Sequence, residues 1–362
     1  MNRFTIMTHL FEPFTLRSVT FKNRVFVSPM CQYSCADDGL PTPWHHMNLG
    51  RFAVGGAGLV LTEAAAVAPI GRISPRDVGI WSDAHAKALA PIASFIAEQG
   101  AVPGIQIAHA GRKASTAVPW EGGQKVAPEH GGWTTVGPST LAFSPTYPEP
   151  TALDTRGMAA IVDQFVLAAK RAGDAGFRVV ELHMAHGYLM HQFLSPLSNR
   201  RTDAWGGDFE GRARLPLEVV SAVRDAWPAQ LPLFVRISAT DWVEGGWDLP
   251  ESIRFAACLR ERGVDLVDCS SGGSAPDAKI PVTPGYQVPF ARAIRQEARI
   301  ATGAVGLITE AAQANDIVQS GSADAVLLAR ALLNDPNWAL HAAHALGVDV
   351  PWPSQYLRAK PR

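Results

Sequence analysis

The stretch "SDAHAKALAPIASFIAEQGAVPGIQIA", residues 82–108, holds one complete helix-and-strand unit and indicates how the rest of the chain folds. Ser82 and Asp83 are favourable residues at a helix start, and Gly100 is the residue type that most readily follows a helix end. The apolar run Val102–Ala108 has the length and composition of a buried strand. A helix that leads through a glycine into a buried strand is the unit of a parallel sheet.

The same unit recurs along the chain. A second copy ends at Gly176, directly before an apolar run. Apolar runs predict eight strands, at Val25–Met30, Gly58–Ala66, Val102–Ala108, Val179–Met184, Leu233–Ala239, Leu266–Ser271, Ile300–Val305 and Ala325–Ala329. Helical spacing predicts eight helices, at Trp44–Val54, Asp83–Gln99, Thr151–Ala175, Phe209–Trp227, Pro250–Arg262, Pro289–Glu297, Thr309–Ser320 and Trp338–Leu346. The alternation favours an α/β fold, the (β/α)8 TIM barrel, although strand number alone also fits an open doubly wound sheet.

The composition is that of a globular protein. Of 362 residues, 47% are hydrophobic and 18% are charged, which is enough apolar material for a large core. No linker divides the chain, so we expect one domain over residues 1–362. The net charge is −1 and there is no dense basic run, which argues against a nucleic-acid partner.

The cysteines and the N-terminal segment bear on the compartment. The four cysteines form no CxxC pair, which suits a reducing, cytoplasmic compartment. The first residues lack a continuous apolar stretch, and no later run reaches the roughly 18 apolar residues of a membrane span. We therefore expect neither export nor membrane anchoring. The sequence leaves open whether Met1 or Met7 is the native start.

Two segments are longer than ordinary connections. Residues 111–150, after the third predicted strand, are rich in Gly, Pro and Trp and show no clear helical pattern. In a barrel this loop would lie over the carboxyl-terminal mouth, where it could cap a ligand. The tail, residues 351–362, contains aromatic residues and prolines that argue against disorder without predicting a helix.

In a barrel, ligands contact the carboxyl ends of the strands and the loops after them. This rule selects the segments Ser28–Cys31, Glu63–Ala64, Gln106–His109, His183–Tyr188, Arg236, Ser271–Gly273, Gly303–Gly306 and Ala329–Arg330.

The segment "HMAHGY" carries two histidines and a tyrosine at one such position. His183 and His186 would point to opposite faces of a strand, so they converge only if the strand ends between them, and Gly187 indicates that it does. A metal site is one interpretation, but beyond His191 and distant His109 no further ligands appear at a recognisable spacing. Ordinary packing is a second. The third is recognition of an anionic or carbonyl oxygen, with Tyr188 as a proton donor.

The last two predicted strands lead into loops that suit a phosphate group. Gly303 and Gly306 allow close backbone approach, Thr309 is placed to cap the next helix, and Arg330 could pair with the phosphate. The chain has neither a GxGxxG motif after the first strand nor a Walker motif. A phosphorylated cofactor of a barrel is therefore FMN, pyridoxal phosphate or a sugar phosphate, and no selected position is the lysine that pyridoxal phosphate requires.

Several blocks of sequence resemble one family nearly end to end. They are "LFEPFTLRSVTFKNRVFVSPMCQYS", "GGAGLVLTEAAAVAPIGRIS", "GIQIAHAGRKAS", "HMAHGYLMHQFLSPLSNRRTDAWGG", "VRISATDW", "VGLI" and "ARALLNDP". Their order is similar to that of the old yellow enzyme family of FMN-dependent ene-reductases, most closely its thermophilic-like, classical-cysteine branch. The resemblance implies a (β/α)8 barrel with FMN at the carboxyl-terminal mouth and NADPH or NADH as the reductant.

The resemblance also implies which residues hold the cofactor. The segment along the flavin ring consists of Ser28, Pro29, Met30 and Cys31. The Cys31 thiol would tune the redox potential of the ring.

Further cofactor contacts follow at other strand ends. Ala64 and Gln106 would meet the polar edge of the ring, and Arg236 would lie near N1 and C2=O, where it stabilises an anionic reduced flavin. Ala329 and Arg330 would hold the phosphate. This chain has alanine at position 329, where the family usually has glycine.

For catalysis, the resemblance implies that His183 and His186 bind the activating oxygen of the substrate. Tyr188 would protonate Cα after hydride passes from flavin N5 to Cβ, and Tyr33 would be a second phenol at the substrate oxygen. The expected substrates are alkenes activated by a carbonyl or nitro group, such as 2-enones, enals and maleimides. In "QYLR", Arg358 would enter the neighbouring subunit's active site, which implies a homodimer or homotetramer.

Other functions stay open on the residues alone. An FMN dehydrogenase of another substrate would need a catalytic base or an iron–sulfur cysteine cluster. A flavin-binding redox sensor would use Cys31 as its reporter. Neither the physiological alkene, nor the stereochemical preference, nor the choice between NADPH and NADH follows from the sequence.

Overall fold

The structure is a computed structural model that describes residues 9–361, so Met1 and Met7 lie outside the described residues. The strands are β1 (Phe14–Leu16), β2 (Val19–Phe21), β3 (Val25–Val27), β4 (Leu59–Ala66), β5 (Val102–Ala108), β6 (Val136–Gly137), β7 (Thr151–Ala152), β8 (Val179–Met184), β9 (Leu233–Ser238), β10 (Leu266–Ser270), β11 (Ala301–Ala304) and β12 (Ala325–Leu328). The helices are α1 (Pro43–Val54), α2 (Asp83–Glu98), α3 (Thr155–Asp174), α4 (Leu189–Leu194), α5 (Phe209–Ala226), α6 (Leu249–Glu261), α7 (Val288–Glu297), α8 (Ala311–Gln319), α9 (Arg330–Asn334) and α10 (Trp338–Ala345).

Eight strands, β3 to β5 and β8 to β12, close into a parallel barrel in which β12 pairs with β3. The predicted (β/α)8 barrel is therefore confirmed. Its strands are buried on both faces, because the interior is filled by side chains and the helices cover the outside. This is why the strands read as continuous apolar runs rather than as alternating ones.

The amino-terminal end of the barrel is closed by the hairpin of β1 and β2. Phe21 of this hairpin is fully buried and packs on Phe26 and Phe234, with ring centroids 4.8 Å and 6.3 Å away. Arg17 in the turn pairs with Asp265 at 2.7 Å, just before β10. Side chains at this end thus contribute to packing rather than to a ligand site.

The helix boundaries follow local capping. Ser82 precedes α2, and Gly100 lies just after it with φ +71°, as the opening stretch predicts. The third helix starts at Thr155 instead of the predicted Thr151, because the Asp154 carboxylate accepts the Gly157 N–H at 2.7 Å and caps it there. The short helices α4 and α9 were not predicted, since one turn or two are too short for a periodic pattern.

Residues 111–150 contain three 3-10 turns and the two-residue strand β6, but no α-helix. Strand β6 pairs with β7, and this pair ties the end of the segment to the start of α3. Within residues 9–361, none of the helices is long and apolar enough to cross a membrane.

Candidate active site

The predicted site residues lie side by side because the barrel strands are in register. Ala64 pairs with Gln106 across β4 and β5, and His183 pairs with Arg236 across β8 and β9. Ser28, Pro29 and Met30 follow β3 as a loop; the prediction that they continue the strand is wrong, since β3 ends at Val27. The Ser28 N–H still donates to the Leu328 carbonyl at 2.9 Å, which keeps this loop against β12.

The two histidines and Tyr188 converge as predicted. Strand β8 ends at Met184, and His186 and Gly187 turn the chain with φ +58° and +73°. The His183 ring centroid lies 5.2 Å from that of His186 and 5.0 Å from that of Tyr188. Position 187 requires glycine, because a Cβ there would lie 2.1 Å from the Gly273 carbonyl oxygen.

Both imidazoles are neutral. Burial, and next the positive charge of Arg236, lower the pKa of His183 and of His186 well below the ordinary value. The Ala185 N–H donates to His183 Nδ1 at 3.3 Å, so the proton of that ring is on Nε2. His186 Nε2 lies 2.7 Å from the Ser270 hydroxyl, which occupies this nitrogen and leaves Nδ1.

A buried pair behind the site holds the turn. The Gly187 N–H donates to His191 Nδ1 at 2.9 Å, and His191 Nε2 lies 3.0 Å from Asp241 Oδ1. Ser195 donates to Asp241 Oδ2 at 2.6 Å. His191 is therefore held by the Gly187 N–H on one side of its ring and by contact with Asp241 on the other. No group of three or more His, Cys, Asp or Glu side chains in residues 9–361 is arranged to hold a metal ion.

Cys31, Tyr33 and Tyr188 are protonated at neutral pH. Burial raises the pKa of each well above its ordinary value, and the negative charges of Asp77 and Glu63 raise that of Cys31 further. Tyr33 has φ +49°, and its ring meets Trp120 of the long segment edge-on at 5.8 Å. The phenols thus suit proton donation, whereas the thiol is not a nucleophile.

Lys113, which sequence reasoning did not select, also lies at the mouth. Its ammonium donates to the His186 carbonyl at 2.9 Å and to the Gly273 carbonyl at 3.0 Å, and it lies 5.3 Å from the Tyr188 ring centroid. Burial, and then repulsion by Arg112, lower the pKa of Lys113 to about 8. Lys113 could have been selected from the sequence because it lies in the block "AHAGRKAS", directly after β5.

Two carboxyl groups inside the barrel were missed as well. Glu181 accepts from the Gln106 amide at 2.8 Å, and Asp268 lies 3.0 Å from Arg236 Nε. Burial raises the pKa of both carboxyl groups, and their mutual repulsion adds to the shift of Glu181. Glu181 lies in the strand "VVELHM" and Asp268 in "LVDCS". An acidic residue within an apolar strand is unusual, so both could have been selected from the sequence.

The residues present fit FMN. Arg236 on β9 is 7% exposed and pairs with His183 on β8, and Gln106 pairs with Glu181 on the other side of β8; a cation and an amide at these strands suit the polar edge of a flavin ring. At the other end, Gly306 has φ +111°, and a Cβ there would lie 2.9 Å from the Gln287 amide nitrogen. Ala329 and Arg330 follow β12 directly, at the loop where barrels commonly hold phosphate.

Two expectations about the phosphate loops are wrong. Gly303 lies inside β11, where a Cβ would come 2.2 Å from Leu327 Cδ1, so its role is packing within the barrel. Thr309 does not cap the next helix. Helix α8 starts at Ala311 after Glu310, and the Thr309 N–H instead donates to the Gln313 side chain at 3.1 Å.

Arg358 is the one predicted site residue that lies away from the mouth. It is exposed on the 3-10 turn Ser354–Ala359. The preceding tail residues line a groove together with Asn23, Gly56 and Gly100. These three residues precede barrel strands, so the tail packs at the amino-terminal end of its own barrel.

Comparison with known proteins identifies the family. Residues 9–348 match the NADH:flavin oxidoreductase / NADH oxidase family. The chain belongs to this family. It is 48% identical over 352 residues to an NADPH dehydrogenase of Geobacillus sp. strain WCH70, covering 97% of this chain and 98% of that protein. An NADPH dehydrogenase of Bacillus subtilis strain 168 is 45% identical over 350 residues, 96% of this chain and 98% of the relative.

Solved structures also superimpose on the chain. Morphinone reductase in complex with tetrahydroNAD matches with a TM-score of 0.79 and 27% identity, over 96% of this chain and 94% of that one. The old yellow enzyme homologue of Zymomonas mobilis shares the fold, with a TM-score of 0.76 at 23% identity over 98% of this chain and all of the other. The resemblance to the old yellow enzymes is confirmed, and the protein is an FMN-dependent oxidoreductase that uses NAD(P)H.

Proposed function

We propose that this family member reduces the C=C bond of alkenes activated by a carbonyl or nitro group, such as 2-enones, enals and maleimides. The observation that carries the proposal is the convergence of two neutral imidazoles and a protonated tyrosine at the mouth, beside Arg236. When bound, FMN would supply hydride transfer from NADPH or NADH to the Cβ of the alkene, and because both reactants would use the same site we expect ping-pong kinetics.

His183 and His186 bind the activating oxygen. A neutral imidazole has one N–H donor, which His183 carries on Nε2 and which His186 carries on Nδ1 when Ser270 donates to its Nε2. Two donors aimed at one oxygen polarise the alkene and stabilise the enolate that forms, and burial strengthens both hydrogen bonds. Tyr33 adds a third donor at the substrate oxygen.

Tyr188 gives its proton to Cα. Its burial keeps the phenol protonated, so the proton is present when negative charge develops on the substrate. Ser28, Pro29, Met30 and Cys31 would lie along the flavin ring, where the neutral Cys31 thiol tunes the redox potential. Ala64, Gln106 and Arg236 would hold the polar edge of the ring, and Gly306, Ala329 and Arg330 the phosphate.

Residues 111–150 cap the substrate pocket in this proposal. Lys113 ties the start of the segment to the His186 turn, and Trp120, which is 64% exposed, covers Tyr33. The chain forms a homodimer or homotetramer in which the tail, residues 351–362, carries Arg358 into the neighbouring mouth. Tyr356 and Leu357 beside it are exposed, as expected of a segment that packs on a second copy. The free thiols of all four cysteines suit the cytoplasm.

The experiment that tests the proposal is an anaerobic titration followed by absorbance. The purified protein is reduced with NADPH, and 2-cyclohexenone is then added. We expect flavin bands that bleach with NADPH and return with the enone. Bleaching without return for every enone would favour a redox sensor reporting through Cys31, or an FMN dehydrogenase of another substrate.

A further inference from the structure

A small cavity of about 10 Å³ borders Tyr188 and Ala64, between the carboxyl ends of β4 and β5 and the loop after β4. Tyr188 and Asp77 line it together with small apolar residues such as Ala66 and Ala108. This volume holds about one water molecule, and a water in such a place needs polar partners. The cavity therefore connects the proposed proton donor with a carboxyl group that has no role in the site described so far.

Asp77 is only 2% exposed, and one of its oxygens lacks a partner. Oδ2 accepts from the Ile73 N–H at 2.6 Å, whereas Oδ1 is buried without a hydrogen bond to the described residues. A buried polar atom in a native protein is nearly always paired, with protein or with water. Asp77 lines the cavity, and a water molecule held there would supply this partner.

Within residues 9–361, no cation forms an ion pair with Asp77. Arg72, whose charge acts on Asp77, directs its guanidinium to the carbonyls of Pro69, Asp37 and Pro75 and stacks on two tryptophan rings. Burial therefore dominates and, with the negative charge of Glu63, raises the pKa of Asp77 to about 8, against the lowering by the backbone N–H groups of Ile73 and Ser74 and by Arg72. At neutral pH the carboxyl group carries a proton that it can give.

We propose that Asp77, through a water molecule in this cavity, relays a proton to Tyr188 while Tyr188 protonates the substrate. The inference rests on the proposed role of Tyr188. The O–H bond of Asp77 breaks and its proton passes to the water, which gives a proton to the Tyr188 oxygen as the Tyr188 proton forms the new C–H bond at Cα. Asp77 ends as a carboxylate and regains its proton from solvent, and no electrons move along the relay.

Several titratable groups face this region, so a pH profile alone does not identify Asp77. Glu63 is paired with His45 at 3.2 Å, and Cys31, Tyr33 and Tyr188 titrate well above neutral pH. Lys113 and Glu181, however, also titrate near pH 8. A pH dependence in the wild type is therefore not sufficient. The deciding observation is that this pH dependence is lost when Asp77 is substituted.

The test uses the FMN-loaded protein and the variant Asp77→Asn, whose amide oxygen can still accept the Ile73 N–H. Stopped-flow absorbance follows reoxidation of the reduced flavin by 2-cyclohexenone. In the wild type the rate should fall as pH rises through about 8, because the relay loses its proton. In Asp77→Asn the rate at neutral pH should be on the order of ten-fold lower and should no longer fall through that range. Reduction by NADPH should be unchanged.

Two further variants separate the relay from a structural effect. Asp37→Asn makes the same substitution at an exposed position near the same loop and should behave as the wild type. Ala66→Val fills the cavity while leaving Asp77 in place, and it should lose the same pH dependence. Wild-type rates and pH profiles in both Asp77→Asn and Ala66→Val would overturn the relay.

A readout without cofactor or substrate tests the proton on Asp77 independently of the proposed reaction. Infrared spectra of the apoprotein with isotope-labelled aspartate should show, between about pH 6 and 8, a protonated carboxyl band that Asp77→Asn lacks, because the pKa of Asp268, which is also buried, is raised only to about 6. If the wild type lacks this band, Asp77 has no proton to give and the relay is wrong, whatever the enone does. If the band is present but no enone reoxidises the flavin, the proposed reduction of alkenes fails, and the relay, which depends on it, fails with it.

Discussion

The two ends of the barrel differ in what is buried there. At the amino-terminal end, the hairpin of β1 and β2 buries Phe21 against other aromatic rings. At the carboxyl-terminal mouth, the buried groups are imidazoles, carboxyls, phenols and Arg236, several with pKa values far from the ordinary ones. The same strands run through both ends. Burial at the amino-terminal end therefore stabilises the fold through packing, whereas burial of polar groups at the mouth costs free energy of folding.

The largest expected effect on rate comes from removing the hydroxyl group of Tyr188. Tyr188→Phe should slow reoxidation of the reduced flavin by 2-cyclohexenone by about 10²–10⁴-fold, the usual contribution of a general acid. Reduction by NADPH should be spared, and the thermal stability should change little because the ring remains. Stopped-flow absorbance measures both half-reactions. Equal slowing of the two would contradict the proton-donor role.

Phe21→Ala makes the opposite change at the amino-terminal end. Loss of a fully buried phenylalanine should lower the free energy of unfolding by about 3–5 kcal/mol, because a cavity is left between Phe26 and Phe234. The folded fraction should keep both half-reactions. Chemical denaturation and flavin kinetics at low temperature check this pair of outcomes. A large change in the rate per folded molecule would show that the two ends are coupled.

The His191–Asp241 pair lies at the mouth but contributes to the stability of the fold, and this contribution should decrease at low pH. Burial by itself raises the pKa of Asp241, but His191 and the donors Ser195 and Trp247 outweigh burial and hold it below the ordinary value. The carboxylate therefore stabilises the fold fully above about pH 4 and less as pH falls through its lowered pKa. In Asp241→Asn that loss of stability below about pH 4 should be smaller. Unfolding measured from about pH 3 to 7 tests this, and an unchanged acid limb would speak against it.

The smallest effect is expected in the exposed part of the capping segment. Trp120→Ala should change the free energy of unfolding by less than about 0.5 kcal/mol, because the side chain is 64% exposed. It should raise KM for bulky enones a few-fold while leaving the reduction by NADPH unchanged. Steady-state kinetics with a small and a bulky enone provide the comparison. An equal effect on both would indicate that Trp120 does not shape the pocket.

Much of the fold was readable from the sequence because its signals are local. The helix from Asp83 and the glycine after it follow from capping and periodicity within a few residues. Once the strands were identified, the barrel rule selected His183, His186, Tyr188 and Arg236, since carboxyl ends of parallel strands meet at one mouth. Helix boundaries set by a single side chain, such as the cap by Asp154 before α3, were harder to predict from the sequence.

Other properties of the site depend on which distant segments of the chain come into contact. Asp77 lies in a loop without periodicity, and nothing in its sequence neighbours shows that it lines a cavity with Tyr188. Gly303 looked like a phosphate-loop glycine, yet barrel closure places it against Leu327. The sequence by itself thus determined the strands, their order and the polar side chains at their ends. Burial, the partner of each buried charge and the resulting pKa values were decided by packing between segments far apart in the chain, because desolvation depends on the whole surroundings of a group.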